Sequence, residues 1–498
     1  MTGCGESCKL PAGCRDSVAV RAVSEAGQGV NVSHGRKRLR FACVVSGMSD
    51  LSALSRRELL SRMGGGLGAL GLASTLHAVP RTNFVPKAKR VIQLFMNGGP
   101  FGPDFFDPKP GLTKYAGQKP QGADLRTERP TGGLLASPYA FSKHGQSGLE
   151  ISELLPNLAQ HADELCVLRS CHTDNPNHGP ALLLMNNGTM TERVPSMGSW
   201  LSYGLGNENA NLPSFVVLCP GKPVRFSVLW TSAFLPAQHQ GVYINHSNLD
   251  PQKMIPWLTN EKLGKADQRR QIDLMQSLNA EHLAARGGAD VALNGRIQVM
   301  ETAYRMQSAA TDAFDVNLEP PKVRELYGKS HFSNGCLMAR RLVERGVRYV
   351  QLYYGNGQPW DTHSKHDETT RRLAADIDRP IAALIGDLKQ RGMLEDTLIV
   401  WGGEFGRTPV SENGNGRDHN PHGFSMFFAG GGVRGGTAYG ESDEFGFKAA
   451  VDKMHVHDVH ATILHLLGMD HERLTYRYAG RDYRLTDVHG RVPQAIVG

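Results

Sequence analysis

From residue 90 onward the chain alternates short apolar runs with stretches whose apolar residues recur at helical spacing. Val91–Met96, Leu165–Ser170, Phe215–Leu218, Val347–Tyr353, Thr397–Trp401 and Phe424–Ala429 each read as a buried strand. The first breaks at Asn97-Gly98-Gly99-Pro100, a turn signal. Strands separated by helical patterns predict an α/β fold, a mostly parallel sheet with helices on both faces. Residues 250–345 depart from this rhythm. They are polar and rich in Gln, Arg, Ala and Leu at helical spacing, which predicts a helical insertion beside the sheet. No repeat or low-complexity linker divides the rest, so 81–498 is expected to be a single domain.

In such a fold chemistry collects where parallel strands end. The apolar strand TLIVW runs through Gly402-Gly403 into Glu404, and a short loop later comes Arg417-Asp418-His419-Asn420-Pro421-His422. After the first strand the chain offers Asp104 and Asp107. After the second come Cys171-His172-Thr173-Asp174 and His178, and after Val347–Tyr353 comes Trp360-Asp361-Thr362-His363 with His366. Carboxylate and imidazole at successive strand ends are a donor set for a divalent metal, Zn, Mn, Mg or Ca. Asp361, His363, Glu404 and His419 are the expected ligands, with Asp418 and His178 nearby. Arg407 as an ion-pair partner is the structural alternative for Glu404, because an unpaired carboxylate ending an apolar strand is costly. Asp107 reads as a turn cap, His366 and His422 as solvent-side residues or supports of the site, and His455, His457, His460 and His465 as ordinary residues of one helix.

The net charge of +7 is concentrated in the leader. Residues 1–47 hold seven Lys/Arg against three Asp/Glu and 48–78 add one more positive charge, leaving the remainder near +2. No basic, aromatic-interleaved run occurs there, which argues against a nucleic-acid partner. Ser55-Arg56-Arg57 followed by the Gly-rich apolar run Met63–Ala73 resembles a twin-arginine export signal, too short and Gly-broken to anchor in a membrane. Met48 is then the plausible start, 1–47 a non-native or disordered extension, 48–80 the signal segment, and the protein periplasmic or otherwise exported by the twin-arginine machinery. Four of the eight cysteines lie in the leader; Cys166, Cys171, Cys219 and Cys336 form no CxxC pair and read as buried thiols.

The ordered set GGPFGPDFFDPKP, Cys336-Leu-Met-Ala-Arg340-Arg341, WDTH at 360–363, GGEFGRTP at 402–409, GRDHNPHGFSMFFAGGGVRGG at 416–436 and HDVHATILHLLGMDH at 457–471 resembles the family known as DUF1501, over about 88 to 495. That family is placed with alkaline phosphatases and arylsulfatases, and many planctomycete members are labelled sulfatases. The resemblance implies an alkaline phosphatase-like fold, a divalent-metal centre and ester hydrolysis. Glu404 stands where the superfamily has a metal-binding Asp, His419 where a later metal-binding His falls, and Asp361 with His363 resemble the pair given by the preceding strand. Asn97 occupies the place of a usual Asp, with Asp104 the available substitute. The nucleophile position, ten residues before Gly188, is His178, and no Cys-x-Pro-x-Arg occurs. His178 is therefore expected as ligand, acid–base group or covalent catalyst, with Thr173 and Ser170 as lesser nucleophiles.

Two functions follow as expectations. One is a metal-dependent hydrolase of sulfate or phosphate esters acting on a small-molecule or saccharide ester, with Arg169, Arg407 and Arg417 holding the anion. The other is a non-catalytic exported binding protein on a decayed hydrolase scaffold, motivated by Asn97 and the missing nucleophile.

Overall fold

The computed structural model describes residues 82–119, 129–255, 260, 262–285 and 290–498; the extension and export segment expected within 1–80 lie outside the described residues. The strands that matter here are β1 (Arg90–Phe95), β2 (Leu165–His172), β3 (Phe215–Leu218), β4 (Val242–Ile244), β5 (Tyr349–Tyr353), β6 (Thr397–Gly402), β7 (Gly406–Glu412), β8 (Gly416–Asn420), β9 (Phe424–Ala429), β10 (Thr437–Tyr439) and β11 (Met454–His455). One sheet runs in the order β10-β2-β9-β6-β1-β5-β3-β4, with β11 paired to β2. Its pairings are parallel except for those of β9, which is antiparallel to both β2 and β6.

The central strands are apolar on both faces because both faces are covered. Ile92, Leu94, Val350, Leu352, Ile399 and Trp401 pack toward α6 (His331–Glu344) and α7 (His366–Gln390). Val91, Phe95, Val217, Tyr353, Val400 and Phe428 pack toward α1 (His178–Asn187), α2 (Met197–Leu205) and α8 (Val456–Leu466). The polar exception in β1 is satisfied internally: Gln93 Oε1 accepts from Gln351 Nε2 at 3.0 Å and from the Tyr349 hydroxyl.

Two expectations are corrected. The expected insertion narrows to an antiparallel helical pair, α3 (Lys265–Ala285) and α4 (Val291–Ala313), in which α3 buries only Ile272; after the short α5 (Pro321–Tyr327), α6 belongs to the layer covering the sheet. The helical spacing of 250–345 was uniform, but the Arg340-Arg341 pair is polar only in composition. Both side chains are buried, with Arg340 Nη2 at 2.7 Å from Glu319 Oε2 and Arg340 Nε at 3.1 Å from Asp387 Oδ2. The second correction concerns the loop expected after Glu404, which is the β7–β8 hairpin. Its charged side chains hide a period-two pattern from a hydrophobicity reading.

The site-bearing helix α1 is fastened at its far end. Asn186 Oδ1 receives Gln351 Nε2 at 2.6 Å and the Tyr353 hydroxyl at 3.2 Å. From α8, His460 Nε2 donates to the Met185 carbonyl and His457 Nε2 to the Gly188 carbonyl, each at 2.8 Å. These bonds satisfy carbonyls that a helix C-terminus otherwise leaves open. Among the described residues no helix is long and apolar enough to cross a membrane.

Candidate metal centre

Three strand ends and one helix start meet at the C-terminal edge of the parallel strands, the edge where such folds gather ligands. β6 runs out through Gly402 to Glu404, the segment after β5 brings Asp361 and His363, the β7–β8 hairpin brings Arg407, Glu412, Asp418 and His419, and α1 begins with His178. The turn after β1 allows the approach. Gly98 has φ +116°, and a Cβ there would lie 2.5 Å from the Asp361 amide nitrogen, so a side chain at this position would displace the loop.

Asp361 is the hub. Its Oδ1 lies 2.9 Å from His363 Nε2, 3.2 Å from His419 Nε2 and 2.6 Å from Arg407 Nη2, and its Oδ2 lies 3.4 Å from His178 Nε2. His363 Nε2 and His419 Nε2 stand 2.9 Å apart. Two of these rings are gripped from behind by buried carboxylates. His178 Nδ1 meets Glu404 Oε1 at 2.7 Å, and His363 Nδ1 meets Glu412 Oε2. Glu404 is fully buried and also accepts the Gly98 N–H on both oxygens, at 3.0 and 3.2 Å. Glu412 is held in turn by Arg129 Nη1 at 2.6 Å.

The charges follow from these contacts. Burial alone would raise the Asp361 carboxyl, but bonds from His178, His363 and His419 and the Arg407 charge hold it well below the usual carboxylate range. Burial pulls His178 down, and its bonds to Asp361 and Glu404 outweigh it and hold the ring above its ordinary value. The bond to Asp361 raises His363. Burial lowers His419, with Arg407 and His178 adding to the fall.

The donor set fits a divalent cation. A carboxylate on Nδ1 fixes an imidazole tautomer with its Nε2 lone pair turned inward, the arrangement that supports metal-binding histidines. His178 and His363 both have it. Two groups, His178–Asp361–His419 and His363–Asp418–His419, each bring one ligand atom per residue within 4.8 Å of the others. A family model described as a protein of unknown function, DUF1501, matches residues 88–497. The chain belongs to the DUF1501 family. No curated protein matches this DUF1501 chain in sequence. Among solved structures it is similar to Ps i-CgsB in complex with k-i-k-neocarrahexaose, at 12% identity over 77% of this chain and 72% of that one, TM-score 0.34. It is also similar to the PsFucS1 sulfatase from Pseudoalteromonas sp., at 13% identity over 77% and 68%, TM-score 0.33. A TAB5 alkaline phosphatase variant with Mg bound matches at 11% identity over 78% and 99%, TM-score 0.32. At these scores the likeness carries no chemistry over to this member of DUF1501.

The remaining expected residues are placed as follows. Asp418 is buried at the rim, its Oδ1 accepting from the His419 amide at 2.8 Å and its Oδ2 from the Arg129 amide at 3.0 Å. Asp104 lies apart from the cluster, with Oδ2 at 2.7 Å from His366 Nε2 and Oδ1 accepting from Ser137 Oγ at 2.7 Å; His366 Nδ1 in turn meets Thr362 Oγ1 at 2.7 Å. Asp104 thus braces the segment that carries Asp361 and His363. Asn97 likewise serves the backbone: its Nδ2 donates to the Gly355 carbonyl at 3.0 Å and to that of Gly357. The Thr173 side chain is buried, and among the described residues no hydrogen bond joins it to the cluster.

Of the three arginines expected to hold an anion, Arg407 and Arg417 are engaged by the fold, and Arg169 gives one N–H to the backbone. Arg169 Nε donates to the Phe106 carbonyl at 2.8 Å. Arg417, fully buried over the Phe101 ring, spends its guanidinium on the carbonyls of Thr408, Leu135 and Ala136, and burial pushes its pKa down to about 10. Arg407 is used by Asp361 and by the Gly98 and Gly99 carbonyls. Glu412 was not foreseen from sequence. Only its place one turn before the Asp418-His419 pair on the opposite hairpin strand points to it, and that requires knowing the hairpin.

Proposed function

We propose that this protein is an exported, divalent-metal-dependent hydrolase of sulfate or phosphate esters. The observation that supports it most is the pair of buried carboxylates, Glu404 and Glu412, turning His178 and His363 toward Asp361 and His419. Asp361, His178, His363 and His419 would hold the cation, and imidazole-rich coordination favours zinc over magnesium or calcium. The cation supplies Lewis acidity toward an ester oxygen. Arg407 keeps Asp361 ionised, Glu404 and Glu412 keep the rings oriented, and Asn97 with Asp104 holds the loops that shape the mouth. With Thr173 outside the cluster and no Cys-x-Pro-x-Arg, water is the nucleophile in this reading.

Metal analysis of the purified protein, followed by release of phosphate or sulfate from a panel of aryl and sugar esters, tests the proposal. Stoichiometric metal with turnover of at least one ester class is expected. Metal without turnover would favour a binding protein on the same scaffold. Glu404→Gln should lose metal, whereas His465→Ala on α8 should not; full occupancy in E404Q would remove Glu404 from the centre. Export rests on Arg56-Arg57 and the Gly-rich run that follows. A fusion of residues 48–80 to a reporter should reach the periplasm and fail to do so when both arginines become Lys. Undiminished export of that double variant would reject the twin-arginine route.

A further inference from the structure

Arg407 and Arg417 spend their guanidinium groups on Asp361 and on backbone carbonyls, which leaves room for another arginine to meet the ester's anionic oxygens. The loop after β3 supplies one. β3 is a parallel strand, so the segment from Cys219 to Phe226 leaves from the same edge as Glu404 and Asp361. It is pinned to the segment after β5: the Lys222 amide donates to Asn356 Oδ1 at 2.8 Å, the Gly357 amide donates to the Lys222 carbonyl at 2.9 Å, and Pro223 bridges to Gly357. Asn97 holds that same segment.

The loop ends in two consecutive non-glycine residues with left-handed backbone, Arg225 at φ +67° and Phe226 at φ +33°. Such positions cost free energy and persist only when the surroundings fix them. What they achieve is to lay the Arg225 guanidinium against Gly179, the residue after His178. A Cβ on Gly179 would stand 3.1 Å from Arg225 Nε and 3.3 Å from Nη2, so glycine leaves the approach open. The partner present is Glu192, with Nη1 to Oε1 at 3.0 Å and side chains 43% and 48% exposed. An ion pair so open to water is weak and readily exchanged.

We propose that Arg225 is the anion-binding residue of the centre, releasing Glu192 to take two non-bridging oxygens of a phosphate or sulfate ester held beside His178. The planar guanidinium matches a tetrahedral oxyanion through paired N–H groups. This rests on the hydrolase reading above, and its test separates the two. Inorganic phosphate is titrated into the zinc-loaded full chain by calorimetry, with zinc stoichiometry measured on the same samples. Arg225→Asn suits a left-handed backbone and should weaken phosphate binding by about tenfold or more at unchanged zinc content. Arg225→Lys should fall between, keeping charge without the fork, and Glu192→Gln should bind phosphate at least as tightly as the parent. Wild-type phosphate affinity in R225N, or an E192Q loss as large as that of R225N, would overturn the assignment of Arg225. A parent protein with full zinc and no phosphate affinity would overturn it too, while leaving the metal centre standing. A parent protein that takes up no zinc would instead overturn the metal reading.

Discussion

At the scale of single residues, the centre depends on carboxylates that need not touch a cation at all. Glu412 is buried, and its bonds to His363 and Arg129 outweigh burial and keep it below the usual carboxylate range. Glu412→Gln keeps the shape and removes the charge that orients His363, so metal affinity should drop by about 10–100-fold, read by competition with a chelating dye. An unchanged affinity would mean that His363 is oriented without it. The cysteines allow a second prediction. Cys166, Cys171, Cys219 and Cys336 are free and buried, and burial pushes the Cys219 thiol up to about 12. Native protein should resist thiol reagents and carry no formylglycine at any of the four. Intact-mass analysis before and after denaturation checks both, and formylglycine at Cys171 would restore ordinary sulfatase chemistry.

At the scale of elements, α8 secures α1 through neutral histidines. His460 is fully buried; burial, then the charge of His457, pushes its pKa down to about 3. The unfolded chain protonates this ring below about 6.5 while the folded protein does not. Its contribution to stability is therefore present above 6.5 and lost as pH falls toward 3. His178 and His363, which are raised, act in the opposite direction, so the informative quantity is a difference between variants. Between pH 6.5 and 5, His460→Gln should flatten the dependence of denaturant stability on pH by about 1 kcal/mol per pH unit. Parallel curves for parent and variant would show that His460 is protonated in the fold. The elements also mark what the sequence discloses. The six apolar runs are found as strands because a strand buried on both faces is apolar nearly throughout, whether it runs parallel or, like β9, antiparallel. The edge strand β4 and the β7–β8 hairpin escape notice: the first is three residues long, and the second carries Arg407, Glu412, Arg417 and Asp418 inward, where carbonyls and histidines satisfy them. For the same reason Asp361, His363, Glu404 and His419 could be named as neighbours, being hard or borderline ligands that follow strands. The tasks of Arg407 and Arg417 could not, since their partners are backbone carbonyls that no sequence displays. Arg225 was legible in principle, because Gly221-Lys222-Pro223-Val224-Arg225 follows an apolar strand as the other site segments do.

At the scale of the whole molecule, the described residues from Thr82 to Gly498 form one compact unit, and its proposed cation joins segments far apart in sequence. Chelation should therefore lower the thermal midpoint of the entire unit in a single transition. A ligand at about 100 times its dissociation constant adds about 2.7 kcal/mol, worth a few degrees in a unit of this size. Scanning calorimetry with and without chelator reads the shift, and an unchanged midpoint would argue against a bound cation. The reversed direction of β9 sets the order in which the centre comes together. Because β9 returns antiparallel beside β6, the excursion between Gly402 and Phe424 begins and ends on neighbouring strands, and closing it costs little chain entropy. Glu404, Arg407, Glu412, Asp418 and His419 all ride on that excursion, whereas the His178–Glu404 bond spans 226 positions. Half of the centre is thus a local product of one stretch of chain, available early in folding. The other half, Asp361 and His363 from the segment after β5 and His178 from α1, comes from distant stretches, so the finished centre exists only in a chain that has already completed its long-range fold.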